Sequence, residues 1–259
     1  IPEGRQERVR EAQDAASDEL IAMAQASADP IVDVCIAARL IESNRQREAE
    51  ALLTQALSDF PYFGPLHLVA SHAMFVMYAS PTSAERVDLL SALSHSVTAA
   101  GLTSTCDLTA MQNALLYLVA NSPEAARFYL DQVAAEVRDA PRWLALSAIV
   151  HLKQQEPQEA RTFIEPLLEQ GAFAASAHFL AACACGLEGD KIEMATELRR
   201  ATAEDRAYYA VSEALIDQGF LRVLLDIAPT ADELIEASAD APVCRVQPKL
   251  PIPQELIMW

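Results

Sequence analysis

Pro30-Ile-Val-Asp-Val-Cys-Ile-Ala-Ala-Arg-Leu-Ile-Glu-Ser-Asn44 runs directly into Arg45-Gln-Arg-Glu-Ala-Glu-Ala-Leu-Leu-Thr-Gln-Ala-Leu-Ser-Asp-Phe-Pro61. The spacing predicts two amphipathic helices joined by a short polar turn around Ser43 to Arg47. Ile36, Ala37 and Leu40 share one face of the first, and Ala49, Leu53 and Ala56 share one face of the second. Steps of three and four residues are the signature of a helix that buries one stripe. The small side chains Ala37 and Ala49 allow the two backbones to approach closely, and Pro61 stops the second helix.

The same alternation of apolar helix, break and partner helix continues down the chain. Pro65 to Ala79 reads as an apolar helix, Pro81-Thr82-Ser83 as a break and Ala84 to Ala99 as its partner, with Gly101 expected to end that helix as a left-handed cap. Cys106 to Ala120 is followed by Asn121-Ser122-Pro123-Glu124, which places Pro at the start of a helix predicted over 125–137. Pro141 opens a further helix. Gln158 to Gln170 is its partner, with Pro166 inside it expected to kink or perturb it. Phe173 to Leu187 and Lys191 to Ala203 form the next pair, around Glu188-Gly189-Asp190. Residues 1–29 are read as an N-terminal capping helix, 30–240 as the helical-repeat domain and 241–259 as a Pro-rich apolar tail. In that tail, Leu250, Ile252 and Trp259 are expected to pack against helices.

The 259 residues are 52% hydrophobic and 22% charged, a composition that folds, with 7 Gly and 14 Pro, too few for long flexible linkers. The net charge of −18 repels nucleic acid and anionic membrane surfaces and favours basic or amphipathic partners. No apolar run is long enough to span a bilayer. Five cysteines at irregular spacing, Cys35, Cys106, Cys183, Cys185 and Cys244, imply no disulfide framework and favour a reducing compartment, hence the cytoplasm. Ile1-Pro2 reads as the start of a fragment or processed form, so a periplasmic or exported setting stays open. Abundant alanine, with arginine well ahead of lysine, points to a GC-rich bacterial genome.

The helix pairs recur every 34 to 40 residues or so, the mark of a helical solenoid. On these residues the chain resembles the tetratricopeptide-repeat (TPR) superfamily, which places small residues at positions eight, twenty and twenty-seven of each unit and Pro at thirty-two. Ala37, Ala49, Ala56 and Pro61 fit those places. A unit near Pro141 fits through Ala148, Ala160 and Leu167, and one near Ala175 through Ala182, Gly189-Asp190, Leu198 and Ala201. The units near Pro65 and Asp107 match poorly. The resemblance implies an all-α, right-handed superhelical solenoid of antiparallel helix pairs, and it implies that the first helix of each unit lines a concave groove. The groove residues would be Ile31, Val34, Ala38 and Ile41; Leu108, Met111, Leu115 and Leu118; Arg142, Ala145, Ile149 and Leu152; and Phe179 and Cys183. Such a lining suits an apolar or amphipathic peptide or partner helix. The same side chains could instead be buried between neighbouring helices.

Catalytic and metal-binding constellations are sparse. Cys183 and Cys185 lie about 200° apart on a helix and do not converge on one ion. Ser71-His72 and Ser94-His95-Ser96 place Ser beside His, where helical side chains diverge. Glu48-Glu50 and Glu193-Glu197 read as solvated helix faces, and there is no phosphate-binding glycine loop. The expectation is therefore a non-enzymatic interaction module, a scaffold or adaptor needing no cofactor and no metal. A chaperone for an apolar secretion substrate and a regulatory or sensor domain of a larger protein are the alternatives.

Overall fold

A computed structural model describes residues 29–79, 89–103 and 106–208. The regular structure of the described residues is all helical, with no strand among them. They form α1 (Pro30–Glu42), α2 (Gln46–Asp59), α3 (Gly64–Ala79), α4 (Leu89–Leu102), α5 (Asp107–Val119), α6 (Pro123–Leu130), α7 (Pro141–Lys153), α8 (Pro157–Gln170), α9 (Ala174–Glu188) and α10 (Lys191–Glu204). Short 3-10 turns cover Ala135–Val137 and Arg206–Tyr208. The chain divides into two compact units, Ile1–Leu116 and a second beginning at Tyr117. The expected N-terminal capping helix, the part of the expected repeat domain after Tyr208 and the expected apolar tail lie outside the described residues.

Packing is local in sequence. In the first unit α1 packs on α2 and on α3, α2 on α3, and α3 on α4. In the second α7 packs on α8 and on α9, α8 on α9, and α9 on α10. First helices thus touch their own partner and the first helix of the following pair, the contact scheme of stacked helical repeats.

The turn chemistry explains why the pairs form. Asn44, Asn121, Gln155 and Gly189 all have positive φ, between 56° and 83°. In each case the amide of the next residue returns to a carbonyl five residues back: Arg45 to Leu40, Ser122 to Tyr117, Glu156 to His151 and Asp190 to Cys185, at 2.8–2.9 Å. One left-handed residue thereby closes the first helix and turns the chain into the second. Asp29 caps α1 through an Ile31 N–H bond of 3.1 Å, with Pro30 at the first helical position, and Asp190 caps α10 through Glu193 N–H at 3.0 Å.

Those turns also reveal a register that the sequence reading did not resolve. Asn121, Gln155 and Gly189 are spaced 34 residues apart. Ala114, Ala148 and Ala182 follow the same step, as do Ala126, Ala160 and Met194, and Val133, Leu167 and Ala201, and every one of these side chains is buried. The unit starting at Asp107, expected to match poorly, is therefore in step with the two that follow it. Ala37, Asn44, Ala49 and Ala56 repeat its internal spacing. In the unit of α3 and α4, buried Ser71 takes the first small position, and Ala92 and Ala99 take the later two. Ser71 and Ala92 are 21 residues apart where the other units have 12, so the nine extra residues fall between the two helices of that pair.

Two local expectations are corrected. The helix predicted over 125–137 ends at Leu130, and the chain bends through a turn before the short 3-10 segment. Gly101 is inside α4 and caps nothing; α4 runs to Leu102. Helix α8 ends on Gly171, at φ 63°, and runs through Pro166 without interruption. Packing by Ile164 and Leu167, both fully buried, offsets the backbone hydrogen bond that Pro166 cannot donate.

Candidate functional site

In the first unit, α1 carries a continuous apolar strip. Ile31, Val34, Cys35 and Ala38 stand at helical steps of three and four residues, and all four are half-buried. Val34 and Cys35 lean on a core built from Val32, Ile36, Leu40, Leu53, Leu66 and Val69, so one side of the strip is anchored and the other meets solvent. Ile41, one turn further, is 3% exposed and belongs to the core. The Arg39–Glu42 ion pair, 2.7 Å long and exposed, borders the strip. Leu108, at the start of α5, is 45% exposed, whereas Met111 and Leu115 on the same helix are buried.

The second unit places its expected groove residues differently. Leu118, Ile149, Phe179 and Cys183 are all buried. Tyr208, in the turn after α10, stacks at a tilt on Phe179 with ring centroids 5.1 Å apart, and its hydroxyl lies 3.1 Å from Ser176 Oγ. Phe179 is thus covered by the chain itself. Cys183 is completely buried, and desolvation, followed by the neighbouring Cys185, pushes its thiol pKa far up, leaving it an inert core group. Arg142 is half-buried, and burial lowers its pKa to about 10. Of the expected groove residues, then, Ile31, Val34 and Ala38 share one half-open face in the first unit, Leu108 is exposed at the start of α5, and Arg142 stands half-buried in the second. Ile41, Met111, Leu115, Leu118, Ile149, Phe179 and Cys183 lie within the helix layers.

Nine chains from solved structures match this fold. One is YrrB, described as a TPR protein with an unusual peptide-binding site: TM-score 0.55, 14% identity, 76% of this chain and 99% of that one covered. Another is a tetratricopeptide repeat protein from Parabacteroides merdae: TM-score 0.55, 15% identity, 87% of this chain and 80% of that one. Together with the 34-residue register, these matches decide the fold. The chain has a tetratricopeptide-repeat fold. No protein-family model matches it, and no curated protein does.

In the frame of a tetratricopeptide repeat, the open strip on α1 belongs to the first helix of the first described repeat. Sequence reading missed Cys35 as a member of that strip. Its spacing of four from Ile31 was the available signal. Several titratable groups of the repeats are paired within and between helices. Glu197 of α10, 6% exposed, accepts from His178 Nδ1 at 2.6 Å and from Arg200 at 2.5 Å. Arg161 of α8 bonds Glu188 at 2.7 Å and the Cys185 sulfur at 3.1 Å, which ties two repeats together. His151 meets Glu156 across one repeat turn at 2.7 Å. Asp33 is buried in α1, where desolvation and then the nearby Asp29 and Asp59 raise its pKa to about 6.

Two further features of the first unit were not legible in advance. His67 of α3 and His95 of α4 bring their Nδ1 atoms to 2.9 Å, and burial followed by the neighbouring imidazole lowers the His95 pKa. A cavity of about 30 Å³ lies beside His95, lined by Glu50, Leu53, Leu57, Ala70, Ala73 and Met74 among others. It has room for about one water molecule. Met77 and Met111 fill core, and Met74 is half-buried at this cavity. No group of three metal-ligating side chains occurs among the described residues, and no described helix is long and apolar enough to cross a membrane.

Proposed function

We propose that this chain is a non-catalytic interaction module that holds a protein partner by the apolar strip on its first described repeat helix. The observation that carries this reading is the strip itself. Ile31, Val34, Cys35 and Ala38 form four consecutive helical contacts without a charge, on a chain whose net charge is −18. An amphipathic helix or extended peptide would lay its apolar side there, as in helix-in-groove recognition. The partner's other side is basic: it meets a strongly acidic surface, which accelerates encounter and weakens as salt rises. The likeness to a TPR protein with a peptide-binding site supports the class of activity, and the rigid, locally packed helix pairs supply a preformed surface that needs little reordering on binding. The partner is held, and no bond in it is broken.

Peptide selection from a displayed random library tests this. The expected winners are amphipathic peptides with Lys or Arg beside apolar anchors. Their affinity, read by calorimetry, should fall at least tenfold in Val34→Asp/Ala38→Asp at an unchanged circular-dichroism spectrum. Selected peptides indifferent to that double substitution would locate binding elsewhere.

A further inference from the structure

We propose that the chain self-associates through α4, the outer face of which packs antiparallel on the same face of a second copy. This surface is separate from the partner strip on α1.

Charge sets α4 apart. The second helices α2, α6, α8 and α10 each carry acidic and basic side chains, as helices with one face in solvent do. Helix α4 holds the same place in its pair, with Ala92, Ser96 and Ala99 buried, but has no Asp, Glu, Lys or Arg. Its one titratable side chain, His95, is hydrogen-bonded to His67 of α3. Helix α3 is equally free of charge, and α3 is core. Helix α4 thus has the composition of a covered helix while its outer face is open: Leu90 is 68% exposed and Val97 43%. An exposed apolar face of that kind marks an interaction surface.

The face is complementary to itself. Leu90, Ser94, Val97 and Gly101 follow one another at steps of four, three and four residues, and all are exposed. They form one stripe along the helix. Across a two-fold axis midway between Ser94 and Val97, an antiparallel copy sets Leu90 opposite Gly101 and Ser94 opposite Val97. Each larger side chain then meets a smaller one in both directions, as an isologous contact requires. Gly101 supplies the hollow for Leu90, since a Cβ there would meet nothing within 4 Å. Thr98, beside the stripe, donates its hydroxyl proton to the Ser94 carbonyl at 2.8 Å and so brings no unpaired donor to the contact.

Charge also selects a second copy as the occupant. Each chain carries a net charge of −18, so two copies meeting through α2, α8 or α10 would bring carboxylates together. Meeting through α4 avoids this, and a basic partner finds no carboxylate on α4 to pair with. The repulsion that remains is long-range, and salt screens it beyond about 8 Å at physiological ionic strength. The dimer therefore tightens as salt rises, opposite to the behaviour of a basic partner.

Sedimentation equilibrium of the full chain over a range of concentrations tests this. A monomer–dimer equilibrium is expected, tighter at high salt than at low. Leu90→Glu and Gly101→Lys should each weaken it at least tenfold. Mixing the two variants should restore association as a heterodimer, because one crossing then pairs the introduced carboxylate with the introduced ammonium and the other keeps Leu90 on Gly101. Both positions are exposed, so both variants should keep the parent circular-dichroism spectrum. In case a variant misfolds, hydroxyl-radical footprinting of the parent chain gives a second readout: oxidation of Leu90 and Val97 should fall as protein concentration rises. A monomer at every concentration and salt, a dimer that both variants leave intact, or footprints at Leu90 and Val97 indifferent to concentration would overturn the proposal. The first of these would leave the face to a different protein or to residues 241–259 of the chain.

Discussion

Gly64 and Thr103 approach so closely that a side chain at position 64 has no room. A Cβ placed on Gly64 would lie 2.4 Å from Thr103 Cγ2 and 3.3 Å from Leu102 Cβ. The start of α3 and the end of α4 therefore touch backbone against side chain, and the Thr103 rotamer is held by its hydroxyl bond to the Ala99 carbonyl at 2.6 Å. Gly64→Ala should cost about 1–3 kcal/mol by forcing that contact apart. Thr103→Ser removes the clashing methyl and keeps the hydroxyl. In a double-mutant cycle followed by thermal melting it should return at least half of the loss. Additive effects would show that the two residues do not meet.

Asp33 makes stability depend on pH in a specific window. Its folded-state pKa, raised to about 6 from 3.8, exceeds that of the unfolded chain. The folded state therefore binds the proton more tightly. The stabilisation from protonation is complete below about pH 4 and is lost as pH rises through 6. Asp33→Asn should accordingly be more stable than the parent at pH 7.5, by on the order of 1 kcal/mol after allowing for solvent screening. That advantage should vanish near pH 4. Denaturant midpoints of both proteins at several pH values measure the difference, and a constant offset across the range would refute the assignment.

The repeat turn at Asn121 has two separable duties. Its φ of 56° favours Gly or Asn, and its side-chain oxygen lies 3.3 Å from the ammonium of buried Lys153 at the end of α7, so it also binds the next repeat. Asn121→Gly keeps the turn and loses the Lys153 contact. Asn121→Ala loses both and should be the worse of the two by about 1 kcal/mol. Equal losses in chemical denaturation would mean that turn geometry contributes nothing.

Close packing within the first helix pair rests on Ala49, which is fully buried. Ala49→Trp should cost on the order of 1–3 kcal/mol or more, seen as a drop in melting temperature of several degrees. An unchanged melt would place Ala49 at the surface.

How much of this was legible beforehand follows from what punctuates the chain. Pro30, Pro61, Pro141 and Pro157 mark helix ends by local sterics, so the pairs beginning at Pro30 and Pro141 could be read directly. The unit at Asp107 was in register all along. Val133 takes the third small-residue position, and the early end of α6 at Leu130 breaks the helical pattern that would have carried the eye. The pair of α3 and α4 was obscured by nine extra residues between its helices. The site was less legible than the fold. Helical spacing showed which residues share a face with Val34 and Ala38, but the depth of that face depends on neighbouring repeats. Leu115 and Phe179 are spaced like groove residues and are buried, Phe179 under Tyr208, a contact that arises only in three dimensions. The His67–His95 pair is likewise a product of packing.

The most direct test of the proposed interaction surface is site-specific photo-crosslinking to a selected peptide. A photoreactive phenylalanine analogue at Val34 faces the strip on α1, and one at the exposed Thr54 of α2 serves as the control. The account predicts a covalent adduct at position 34, suppressed by excess unlabelled peptide, and none at position 54. An adduct at position 54 with none at position 34 would contradict it.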